Sequence, residues 1–149
     1  MSRHSARKHI FNLVFQFPFH TEWDAEVLKE TTDRYLLDLS DLQDIIPGTS
    51  PSSEDISFIK TESGGTFENL SQIDAIIEHK LKDWELDRLA KVDLALLRLA
   101  VYEMNFSSDI TTGVAINEAV ELAKIYGTDE SSAFINGVLG QVALALSNG

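Results

Sequence analysis

Between Val92 and Tyr102 only Asp93 and Arg98 interrupt a run of apolar residues, and the run shows no alternation of the kind a half-buried strand would need. A helix that is apolar on nearly every side must be surrounded by other helices, because one lying on a surface keeps a polar face. This segment is therefore the predicted centre of the core, and the rest of the chain has to supply the helices that cover it.

The flanking sequence offers them. Ala6, Ile10, Leu13, Val14 and Phe17 recur at spacings of three and four, which makes one face of a first helix, and Pro18 argues against its continuing. A second helix is predicted from about Asp24 to Ile45, with Thr21 and Asp24 as a capping pair and Val27, Tyr35, Leu36, Leu39 and Leu42 facing inward. Pro47 to Ser53 reads as a loop, followed by a short helix carrying Ile56 and Ile59 that Gly64-Gly65 should interrupt. Ser71 and Asp74 have capping spacing ahead of Ile73, Ile76, Ile77 and Leu81, in a helix expected to end near Trp84; Leu86 and Leu89 then sit in a tight connection. After the break at Asp109 to Thr112, a helix with Val114, Ala115, Ala119, Val120, Leu122, Ala123 and Tyr126 is closed by Gly127. A last helix from about Asp129 carries Phe134, Val138, Val142, Ala145 and Leu146. The expectation is an all-α protein of about seven helices.

Several kinds of chemistry are unsupported. The chain has no cysteine, which removes disulfides, thiolate ligands and a thiol nucleophile together. His4, His9, His20 and His79 match no common metal motif, and there is neither a phosphate loop nor a dinucleotide fingerprint. No catalytic residue, metal or cofactor is expected. Glu118 and Glu121 lie three apart on a helix, where a solvated face is the reading preferred over a shared catalytic task. No run approaches the roughly 18 apolar residues that a membrane helix needs, and the first twenty residues are too polar for a secretion signal, so the cytoplasm is the default location.

The net charge of -12 argues against sequence-blind nucleic-acid binding, which rests on neutralising phosphates. The charge is uneven, however. Residues 1–20 carry Arg3, Arg7 and Lys8 with no acid, whereas residues 21–62 carry eleven acids against three bases. Either the three cations make a solvated first turn, or they form a local site on an acidic body.

Trp84 to Leu89, Val92-Asp93, Leu97 to Glu103, Ile116 to Lys124 and Phe134 to Leu139, together with the Arg3 and Ala6-Arg7 start, resemble the NusB family of bacterial transcription antitermination factors. That resemblance implies a two-part helical protein, here one domain over 1–149 with subdomains of about 1–65 and 66–149. It implies binding of boxA-like RNA together with ribosomal protein S10, and loading of an antitermination complex onto RNA polymerase. By resemblance Arg3 and Arg7, with Lys8 beside them, stand where the family meets RNA. Arg98, Glu130 and Phe134 match positions near its RNA groove, and Asp93 lies toward the S10 side. Some relatives form homodimers that hide the RNA face, which makes a homodimer a further possible partner.

The residue chemistry is compatible with these roles but leaves alternatives open. Phe134 either stacks on an unpaired base or packs in the core, and Arg98 meets either RNA or an internal acid. Glu130 accepts from base edges or favours a helix start. The diluted basic start and acidic body imply modest RNA affinity alone and tighter assembly with S10. The alternative is an acidic protein adaptor with little RNA binding of its own.

Overall fold

The computed structural model describes residues 1–17, 23–42, 50–82 and 85–148; the expectations for Pro18, His20, Thr21, Ile45, Pro47 and Trp84 fall outside them. Seven α-helices and one short 3-10 turn are present among the described residues, with no strand. The chain divides into two compact units, Met1–Gly64 and Gly65–Gly149.

The first unit contains α1 (Arg3–Val14), α2 (Ala25–Leu42) and most of α3 (Ser53–Glu68). Helix α1 starts where Ser2 Oγ accepts the Ser5 N–H at 3.0 Å, and it buries the face read from the sequence: Ala6, Ile10, Leu13 and Val14, with Phe17 just beyond. Asp24 Oδ1 accepts the Val27 N–H at 2.9 Å and so caps α2. The inward face of α2 is narrower than expected. Leu36 and Leu39 are buried, but Val27 and Leu42 are exposed and Thr32 takes an interior place. At α3 the Ser52 Oγ accepts the Asp55 N–H at 3.1 Å while Asp55 Oδ2 accepts the Ser52 N–H at 2.8 Å, a reciprocal cap that fixes this helix start.

The expected interruption at Gly64-Gly65 does not occur, because α3 runs through both glycines to Glu68. Gly65 is there for closeness rather than for a break. A Cβ at this position would overlap the Tyr102 ring, so the missing side chain is what lets the tyrosine lie against the α3 backbone.

In the second unit α4 (Leu70–Lys80), α5 (Lys91–Phe106), α6 (Thr112–Tyr126) and α7 (Ser131–Asn148) pack together, α5 touching each of the other three. Every residue from Leu94 to Met104 is buried, as the apolar run requires. Helix α4 begins at Leu70, earlier than the Ser71–Asp74 spacing indicated, which moves Asp74 from a cap into the helix body. It ends at Lys80, where Leu81 turns extended. Thr111 Oγ1 caps α6, and the Gly127 N–H closes it on the Ala123 carbonyl at 2.8 Å. The buried stripe of α7 is Ile135, Val138, Leu139 and Val142; Phe134 is half-buried, and Ala145 and Leu146 are exposed, so these three do not form the core face read from the sequence.

Candidate nucleic-acid interface

In the first unit the candidate site is the amino-terminal turn of α1, where the sequence places Arg3, Arg7 and Lys8. Arg3 and Arg7 are one turn apart, which puts both side chains on one face of the helix. Both reach the same aromatic ring on α3: the Arg3 guanidinium carbon lies 4.0 Å from the Phe58 centroid, and that of Arg7 lies 5.4 Å away. At these distances the ring quadrupole attracts each cation and offsets part of their mutual repulsion. Their exposure differs. Arg3 is open to solvent, Lys8 is half-buried, and Arg7 is only 5% exposed.

Two further contacts hold this turn. The Met1 amino group pairs with Asp55 Oδ2 at 3.2 Å, and Asp55 also accepts from Ser52, so the start of the chain is tied to the start of α3. Hydrogen bonds from Ser52 hold the Asp55 carboxyl below its ordinary range, against the opposing effect of burial, with the amino group adding to the depression. On the other side of α1, His9 Nδ1 lies 2.7 Å from the Tyr35 hydroxyl, to which Asn12 also donates at 3.0 Å. Burial, and then the nearby Lys8 charge, push the His9 imidazole below its usual value, which favours the neutral ring in this contact.

In the second unit a cavity of about 250 Å³ gathers Asp93, Glu130 and Phe134, with Arg88 and Ser131 also on its wall. Ser131 ties the approach to α7 by accepting the Thr128 N–H at 3.0 Å, and the Glu130 carbonyl accepts the Phe134 N–H at 3.1 Å. Glu130 itself is exposed. Asp93 sits in the first turn of α5, and its Oδ1 is buried with no hydrogen-bond partner. A buried acceptor left open is costly, so this oxygen is a local source of instability at the start of α5. The residue assigned by resemblance to the S10 side thus shares a cavity with two assigned to RNA.

Arg98 lies elsewhere. Its side chain is 1% exposed and forms a fork-to-fork pair with Asp74, Nε to Oδ1 and Nη2 to Oδ2, both at 2.8 Å. Of the two roles left open for Arg98, the geometry favours the internal acid. Lys124 meets Glu121 at 3.2 Å in an exposed pair, as suits a solvated face.

Three participants escaped the sequence reading. Phe58 belongs to a segment whose period marks only Ile56 and Ile59, and nothing local says that two arginines from another helix reach it. Asp74 had a signal, since a charged residue inside an apolar helix demands an opposite charge, but many acids could have answered. Arg88 lies in the tight connection and becomes recognisable only when the cavity is formed. Among the described residues no group of three or more His, Asp or Glu is arranged to hold a metal ion, and no helix is long and apolar enough to cross a membrane.

Comparison with known proteins gives a consistent set of likenesses. The NusB family model matches residues 4–144. The transcription antitermination protein NusB of Agathobacter rectalis is 41% identical over 144 residues, spanning 96% of this chain and all of that protein. That of Natranaerobius thermophilus is 42% identical over 149 residues, spanning 99% and 98%. A solved T. maritima NusB superposes with a TM-score of 0.75 at 35% identity, over 96% of this chain and 91% of that one. A chain from a crystal structure of antitermination factors NusB and NusE in complex with dsRNA gives a TM-score of 0.72 at 26% identity, over 97% and 99%.

Proposed function

The chain belongs to the NusB family, and from that premise we propose that it is a transcription antitermination factor that holds boxA-like single-stranded RNA together with ribosomal protein S10, also called NusE. The observation that carries this reading is the family match over residues 4–144, joined to a neighbour of the same fold solved with NusE and double-stranded RNA; the preference for a single strand is the part that the test below decides. The work is recognition and needs no covalent step. It belongs in the cytoplasm, beside RNA polymerase, where the assembled complex would act.

Each unit contributes what its chemistry allows. Arg3, backed by Arg7 and Lys8, offers positive charge to phosphates on an otherwise acidic body. Phe134 offers a half-buried ring beside a cavity, which suits an unstacked base, and Glu130 offers an exposed acceptor to base-edge donors. Asp93, on the wall of the same cavity, offers a carboxylate to a donor from S10, so the cavity is where the two partners' contacts adjoin. Arg98 contributes by holding α5 to α4 rather than by touching RNA.

The test is a gel-shift and co-elution assay with purified S10, single-stranded boxA RNA and the same RNA annealed to its complement. The expected result is a ternary complex that prefers the single strand. Phe134→Leu should weaken the RNA contact and spare S10; Asp93→Asn should do the reverse. An S10 complex that never takes up boxA RNA would favour the adaptor reading instead.

A further inference from the structure

Resting on the RNA-binding reading above, we propose that Phe58 and the Arg3 guanidinium form a two-layer stacking platform for an unpaired base, so that Arg3 acts through its flat face as well as its charge. The geometry begins with the ring. A guanidinium carbon 4.0 Å from an aromatic centroid lies on the face of the ring, since an approach from the edge would have to clear the ring atoms and their hydrogens. Phe58 is half-buried and Arg3 is exposed, so the aromatic layer is anchored in the protein while the planar cation is the outer layer.

An arginine in open solvent samples many rotamers and must lose that freedom when it binds. Here the loss is partly met beforehand. The Ser2 cap fixes the turn that carries Arg3, and the reciprocal Ser52–Asp55 cap fixes the start of the helix that carries Phe58. Arg7, on the same helix face, is buried with its guanidinium carbon 5.4 Å from the same ring centroid, so the ring is held from a second position on α1.

A guanidinium is planar and weakly hydrated, so one seated on a ring has a second face on which a base, the part of an RNA strand that stacks, can lie. Lysine would carry the same charge without the plane. Phosphate attraction and base stacking therefore separate: the first follows net charge and salt, and the second follows planarity and is nearly independent of salt. Neither Phe58 nor a stacking role for Arg3 follows from the sequence pattern.

The experiment compares wild type, Arg3→Lys, Arg3→Ala, Phe58→Leu and Phe58→Tyr for binding to boxA RNA and to an all-abasic ribose-phosphate strand of equal length, across a salt series. Thermal melts establish that each variant is folded. Wild type should prefer the base-bearing strand. Arg3→Lys should lose about tenfold of that preference while keeping the wild-type salt slope. Phe58→Leu should lose a similar factor, and Phe58→Tyr, which keeps the ring, should retain it. Arg3→Ala should lose the preference and also flatten the slope.

If Arg3→Lys and a folded Phe58→Leu both keep the full preference, the platform is wrong, although the RNA-binding reading survives. If Phe58→Leu unfolds, Arg3→Lys alone decides. If wild type binds neither strand in a salt-dependent way, with or without S10, it is the underlying RNA-binding reading that fails.

Discussion

Replacing Asp74 with alanine exposes what the Arg98 pair contributes, and the structure sets the size of the effect. Arg98 is 1% exposed and Asp74 is 15% exposed, with both hydrogen bonds at 2.8 Å. Removing one partner of a buried pair costs about 3–5 kcal/mol, because the remaining buried charge loses its fork-to-fork counterion. The Asp74 side is partly open, so water can fill in for the lost carboxylate, and the expected loss lies at the lower end, about 3 kcal/mol. That is more than a hundredfold in the folding equilibrium. Arg98→Met should cost less, since the carboxylate left behind is the better hydrated partner. Combining Arg98→Met with Asp74→Leu should recover most of the loss, because an apolar pair of similar volume avoids the desolvation penalty. Urea titrations followed by far-ultraviolet circular dichroism read these values, with the single Asp74→Leu variant added so that it, Arg98→Met and their combination close a double-mutant cycle. An Asp74→Ala loss within about 0.5 kcal/mol of wild type, the range of an exposed pair, would refute the argument, as would simple additivity in the cycle. The double variant also bears on function. If Arg98 is structural, this stable double variant binds RNA as wild type does, whereas a large loss of affinity with stability intact would return Arg98 to the RNA surface.

Gly65→Ala should destabilise by about 1–3 kcal/mol, since the new methyl group collides with the Tyr102 ring; trimming the tyrosine in Gly65→Ala/Tyr102→Leu should recover part of it, and an unchanged melting temperature in the single variant would count against the close approach. Asp55 and His9 both contribute to the acid response. The Asp55 carboxyl is depressed in the folded chain, so its contribution is complete above the unfolded aspartate value and disappears as pH falls through the folded one. The His9 imidazole is also depressed, so the unfolded chain takes up its proton first, and stability falls as pH drops below about 6.5, the ordinary histidine value. His9→Gln should flatten the stability profile in that upper window and leave the more acidic loss in place; a profile unchanged by this substitution would contradict the His9 assignment.

The parts of the fold legible in the sequence were those where burial repeats at short range. The run around Leu97 specified a surrounded helix, and the face from Ala6 to Val14 specified a one-sided one, because in each case consecutive side chains report the same environment. Glycine misled where its role was tertiary. Gly64-Gly65 looks like a local breaker, yet the ring of Tyr102, 37 positions further along the chain from Gly65, is what fixes the need for glycine there. Composition also hid the difference between Arg3 and Arg7, since a charge count cannot tell that one is exposed and the other is covered. Phe134 was ambiguous for a similar reason: it lies next to Ile135 and one turn from Val138, and only packing decides which of them turns inward.

The central claim is that a small cationic turn on an acidic helical protein engages RNA by both charge and base. Its most direct test is the salt dependence of binding to boxA RNA and to a scrambled strand of the same composition, with and without S10. For the chain alone, two or three phosphate contacts give a slope of log affinity against log salt between about -1.4 and -2.1. The boxA strand should bind more tightly than the scrambled strand throughout, and S10 should widen that gap. Equal affinity for both strands at every salt concentration, in the presence of S10 as in its absence, would contradict the account.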